Sequence, residues 1–196
     1  MPPLSTYTAS LPTDVLLDSG VLYIGAPGAR TVFSAQEGGL KFDPGKTIRD
    51  VAFAGQRTRV KGLSRTVNFA PKFTGTILEV SPTTMTVLEP GVTTGVVMSG
   101  SPSGLTSGFQ PKAAGILYAT GDYLSTISAV WQRGDGTYVQ VRFYDGAEVI
   151  KWDIAGTDKQ EGKITVEIDA LLDMSVSGRH TSDAPYIIEY FTQAPS

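Results

Sequence analysis

Residues 37–63 read E-G-G-L-K-F-D-P-G-K-T-I-R-D-V-A-F-A-G-Q-R-T-R-V-K-G-L. Two runs with apolar residues in alternation, 40–42 and 48–53, flank Asp43-Pro44-Gly45. Proline fixes its own φ, glycine can take φ > 0, and the aspartate can bond the backbone two residues on, so the triplet reads as a tight turn. A polar stretch, 55–62, leads to a further strand-like run at 63–69. The expectation is a long extended β-hairpin arm over about 37–69. It is basic: Lys46, Arg49, Arg57, Arg59, Lys61 and Arg65 are six of the chain's 16 Lys and Arg, and Asp50 is the only acid between 46 and 65. A two-stranded ribbon is marginal by itself in water. Such an arm makes better physical sense as a surface that another chain covers.

Working outward, residues 1–13 are rich in Pro, Ser and Thr and read as an extended N-terminal arm, with 14–196 as a single β domain. Residues 14–24 form a strand, 25–28 a turn and 30–34 the return strand. At 72–80 neither alternating set is purely apolar, so that strand is expected to be covered on both faces. Ser81 and Pro82 suit a helix start, Gly91 after Pro90 suits its end, and Met85 and Leu88 give a small apolar stripe. Residues 91–112 read as an irregular loop and 114–119 as a strand. The clearest hairpin joins 123–131 to 138–144 through Arg133-Gly134-Asp135-Gly136; Val139, Val141 and Phe143 fall on one face, Tyr138, Gln140, Arg142 and Tyr144 on the other. Strands at 148–154, 163–172 and 186–192 follow. Nine to eleven strands, one short helix and no internal repeat predict a mainly β fold: a β-sandwich or β-barrel of two packed antiparallel sheets with one short flanking helix.

The chain has 196 residues, enough for one domain with its own core. It has no cysteine, which excludes disulfides, thiolate chemistry and sulfur-ligated metals, and its one histidine excludes a two-histidine metal site or mechanism within the chain. The first residues lack the basic and apolar regions of a secretory signal, and no apolar run approaches the ~20 residues of a membrane span. The net charge of −3 is unevenly spread, since residues 122–196 carry twelve acids against six bases. That asymmetry suits a basic arm of one copy meeting an acidic surface of the next.

Catalytic signatures are weak. There is no G-x-S-x-G, no P-loop, no dinucleotide fingerprint and no EF-hand spacing. His180 sits in a polar loop and reads as a solvated side chain. Asp122, Asp145, Glu148, Asp153, Glu167 and Asp169 are available for a carboxylate pair of the glycosidase kind, but acids on outward strand faces are commonplace. Arg133-Gly134-Asp135 matches a short integrin-binding tripeptide where a hairpin needs Gly and Asp anyway. The basic run is interleaved only by Phe53, which gives base stacking on nucleic acid little support.

G-G-L-x-F-D-P-G-K at 38–46, R-x-V-x-F-x-G-x-R at 49–57, V-K-G-L at 60–63 and D-V-L-L-D-S-G-V-L-Y-I at 14–24 together resemble the major tail tube protein of long-tailed bacteriophages, with weaker similarity in the hairpin at 131–144. The resemblance implies a non-enzymatic virion subunit without cofactor or metal. Such subunits form hexameric rings that stack into a hollow tube, a conduit for DNA and ejection proteins, in which strands of six neighbours join into an inner barrel. Implied partners are further copies, the tape measure, terminator and baseplate proteins, and DNA transiently in the lumen, with no membrane; the implied location is the virion tail, assembled in the host cytoplasm. Asp43, Lys46, Arg49, Arg57, Arg59, Lys61 and Arg65 then fall at inter-subunit contacts. Lumens of this family tend to be acidic, which places the arm at the ring-to-ring seam. The alternatives are a carbohydrate- or cell-binding β-sandwich, such as a tail-associated adhesin or capsid decoration protein, and a hydrolase with a carboxylate pair.

Overall fold

Residue types with high strand propensity and period-two alternation become strands, and two sheets of them face each other across one core. The computed structural model describes residues 16, 20–25, 30–34, 38–50, 64–78, 82–89, 91–95, 108–143, 146–156, 163–171 and 184–193. The expected N-terminal arm at 1–13 and the arm's tip at 51–63 lie outside these residues.

The first sheet has five antiparallel strands: β1 (Val21–Ile24), β2 (Thr31–Ser34), β9 (Ile127–Gln132), β10 (Tyr138–Phe143) and β13 (Tyr186–Phe191), in the order β13-β10-β9-β1-β2. The second has four: β3 (Lys41–Asp43), β6 (Lys72–Ile77), β11 (Ala147–Ala155) and β12 (Lys163–Ala170), in the order β11-β12-β6-β3. Leu22, Ile24, Ile127, Ala129, Trp131, Val141 and Phe143 face inward from the first sheet and meet Phe73, Ile77, Ile164, Val166 and Ile168 from the second. Phe73 and Phe143 stack across the gap at 4.4 Å between ring centroids. Each such large side chain, removed from water, contributes about 1.5–3 kcal/mol. The Trp131 indole N–H donates to the Leu40 carbonyl at 3.2 Å, which ties the sheets together at a polar point. The helix α1 (Pro82–Leu88) covers this core with Met85 and Leu88, the stripe expected from their spacing.

Several expectations change. The 72–80 strand ends at Ile77 and buries one face only, through Phe73 and Ile77. The 114–119 segment is no strand: Ile116 N–H donates to the Ala113 carbonyl, Gly115 takes φ 85°, and Leu117 is 92% exposed. A turn there breaks the alternation that the apolar residues suggested. Within the irregular 91–112 stretch, β7 (Thr93–Thr94) and β8 (Phe109–Gln110) pair with each other. With β4 (Lys46–Asp50) and β5 (Ser64–Phe69), the described residues hold thirteen strands. The number exceeds nine to eleven through that short pair, which the irregular stretch does not announce.

Candidate functional site

Asp43-Pro44-Gly45 forms a turn, but not the tip of a hairpin. Asp43 Oδ1 accepts the Gly45 N–H at 2.9 Å, and Gly45 takes φ 53°. The strands on either side of the triplet do not pair with each other: β3 pairs with β6 and β4 with β5. Asp43 lies opposite Lys72 and Lys46 opposite Phe69, so three residues pass on each side with no slip. One continuous ribbon therefore leaves the four-stranded sheet at a corner, closed by the Ala70 N–H donating to the Gly45 carbonyl at 3.2 Å. A bulge between Thr47 and Ile48 then adds local twist.

Beyond the corner the ribbon is largely uncovered, with Phe69 at its root packed edge-on against Tyr186 at 6.2 Å between ring centroids. Lys46, Thr47, Ile48, Arg49, Ser64, Arg65, Val67 and Asn68 are all exposed, and these belong to both of its faces. Arg49 lies directly opposite Arg65. Of the sequence-derived contact residues, Lys46, Arg49 and Arg65 thus stand together on the arm. Asp43 sits at its root, half-buried and occupied with the corner. Arg57, Arg59 and Lys61 lie outside the described residues.

The sheet edges are the second feature. The strand β13 is six residues long, Y-I-I-E-Y-F, with a single charge, and it ends the five-stranded sheet. Ile188 lies opposite the buried Val141, and Tyr190 shares its face, yet they are 46% and 71% exposed. The edge strand therefore overhangs the opposing sheet. By contrast, β11 carries a bulge at Ile150 and exposed Lys151, features that blunt an edge against pairing.

The carboxylates fall into two places. Asp122 pairs with the Lys112 ammonium on a one-turn 3-10 helix at Thr120–Asp122, and that contact, with the Ala119 N–H, holds its carboxyl below the usual range. Glu148, Asp153, Glu167 and Asp169 lie on the outward face of the four-stranded sheet, Glu148 directly opposite Asp169 and Asp153 opposite Thr165. Lys72 donates to Glu167 at 2.8 Å, which raises the Lys72 pKa. Burial and neighbouring Glu167 push the Asp169 carboxyl up against the pull of Lys72, and its Oδ1 has no hydrogen-bond partner. Asp145 and His180 lie outside the described residues.

A cleft of about 490 Å³ at the β11 bulge is lined by Glu89, Tyr118, Glu148, Lys151 and Trp152, among others, but not by Asp169. The Trp152 indole N–H donates to Glu89 Oε2 at 2.7 Å. Neither Tyr118 nor the end of α1 was singled out in the sequence, because their meeting with β11 depends on sheet order alone. Arg133-Gly134-Asp135 closes the β9–β10 turn: Asp135 Oδ1 accepts the Thr137 N–H at 2.9 Å and Oδ2 faces Arg133 at 3.3 Å. Among the described residues no group of three or more His, Cys, Asp or Glu could hold a metal ion, and no helix is long and apolar enough to cross a membrane. No family model and no curated protein matches the chain.

Proposed function

We propose that the chain is a structural subunit that assembles with copies of itself into stacked rings, as the tail tube subunit of a long-tailed bacteriophage. The observation that carries this reading is the ribbon β4–β5, most of whose residues are exposed on both faces once past its root, where Phe69 packs against Tyr186. A two-stranded ribbon in that state gains little from burial, and a covering partner supplies what the chain itself does not. The overhanging, nearly uncharged β13 supports the same reading, because closure of sheets around a ring removes open edges. On this reading the rings are hexameric, the tube conducts DNA during ejection, its partners include the tape measure, terminator and baseplate proteins, and the location is the virion tail. No catalysis is assigned.

Negative-stain microscopy of the purified protein tests it. Rings or hollow tubes are the expected result; dispersed globules at every concentration overturn it. The cleft at the β11 bulge favours a second reading, a glycan-binding β-sandwich, since it joins two aromatic rings to carboxylate acceptors. Saturable binding of a sugar by a particle that never polymerises would select that reading instead.

A further inference from the structure

Two like-charged pairs stand out in the strand register. On the arm, Arg49 lies directly opposite Arg65. On the outward face of the four-stranded sheet, Glu148 lies directly opposite Asp169. Like charges in directly opposed positions destabilise the strands that carry them. Neither guanidinium has an ion-pair partner among the described residues, and neither does Glu148; the cation nearest Asp169, Lys72, is bonded to Glu167. Among the described residues the guanidinium pair is therefore short of opposite charge, and the carboxylate pair has Lys72, opposite Asp169, only as a cation shared with Glu167.

The two pairs also match in spacing. Directly opposed residues of antiparallel strands hold their Cβ atoms about 4.5–5.5 Å apart. Two guanidiniums at that spacing can each meet one carboxylate of a pair at the same spacing, in the forked two-bond geometry that arginine favours.

We infer that the Arg49–Arg65 pair of one copy docks on the Glu148–Asp169 pair of a second copy, so that the outward face of the β11-β12-β6-β3 sheet is the seat of a neighbour's arm. The inference rests on the reading of the chain as self-assembling, and it names the surface that receives the arm. A phosphate backbone also answers paired guanidiniums, but it leaves the carboxylate pair uncompensated; a second copy satisfies both at once.

The test is a charge swap on the full chain. One variant carries Arg49→Glu and Arg65→Glu; the other carries Glu148→Lys and Asp169→Lys. Association is followed by sedimentation, particle shape by microscopy, and folding by circular dichroism. Each variant alone should associate about tenfold or more weakly than the native chain. An equimolar mixture should regain association, because each variant's arm then matches the other's sheet face. The milder Glu148→Gln with Asp169→Asn variant guards against misfolding and should weaken association in the same direction. Native-like association of either folded variant alone, or a folded mixture that does not recover, overturns the inference. So does loss of duplex DNA binding by the arm variant with association unchanged, which would assign the guanidiniums to phosphates. Native particles that are not tubes but respond to the swap uphold the docking and reject the tube. Tubes that ignore the swap do the reverse, and a native chain that stays monomeric at every concentration rejects both.

Discussion

Gly45 shows how one residue places the whole arm. Its φ of 53° is left-handed, and an added Cβ would lie 2.0 Å from the carbonyl oxygen of Ala70, between β5 and β6. Gly136 has a comparable φ of 81° at the β9–β10 turn but open space around it. Gly45→Ala should therefore cost about 1–3 kcal/mol and exceed the loss from Gly136→Ala, as read from denaturant midpoints, because only the former adds a backbone collision to the strain. The Asp43-Pro44-Gly45 turn was legible in the sequence; its partner was not. Turn chemistry is local, whereas the choice between a hairpin and a corner depends on β6, some thirty residues away. At Asp169 the folded-state pKa is raised above the ordinary carboxylate value, burial being the main cause. The folded chain thus holds this proton more tightly than the unfolded chain. The stability linked to the proton is present below the unfolded pKa and is lost as pH rises through the folded value. Asp169→Asn should remove that pH dependence and stabilise the isolated chain near neutrality by about 0.5 kcal/mol, the scale of one like-charge opposition. Thermal melts as a function of pH check both.

At the scale of elements, alternation located most strands because one face of each is in the core. Ile164, Val166 and Ile168 of β12 are fully buried, as their spacing requires. Alternation failed at 114–119, where Ile116 and Leu117 are apolar but exposed. Burial depends on what stands opposite, and a run of apolar residues carries no record of that. The same limit hid the overhang of β13. Its sequence promises a core strand, and only the sheet order leaves Ile188 and Tyr190 without cover. Ile188→Lys should change monomer stability by no more than about 0.5 kcal/mol, since the position is already half in water. If neighbours pair or pack along β13, the same change should abolish ring formation. Denaturant melts of the dispersed chain, set beside microscopy of the concentrated one, separate the two effects.

At the scale of the molecule, the fold class was readable from composition and spacing, because Gly, Pro, Thr and Val punctuate short strands throughout. The candidate site was only half readable. The charges of the arm are local facts, and Lys46, Arg49 and Arg65 do stand together on it. The facing of Glu148 by Asp169, and of Arg49 by Arg65, belongs to register, which no single segment encodes. Register also bears on how a ring would close. Five is an odd number, so in the all-antiparallel order β13-β10-β9-β1-β2 the two outermost strands run the same way. Rotation about a ring axis preserves that direction, and a β2 brought beside the next copy's β13 meets it head alongside head. Such a seam would carry the evenly spaced, slanted ladder found between parallel strands, unlike every strand pairing among the described residues. An upside-down copy would instead offer an antiparallel join, so in any such ring the parity of the sheet would give the wall a way to tell up from down.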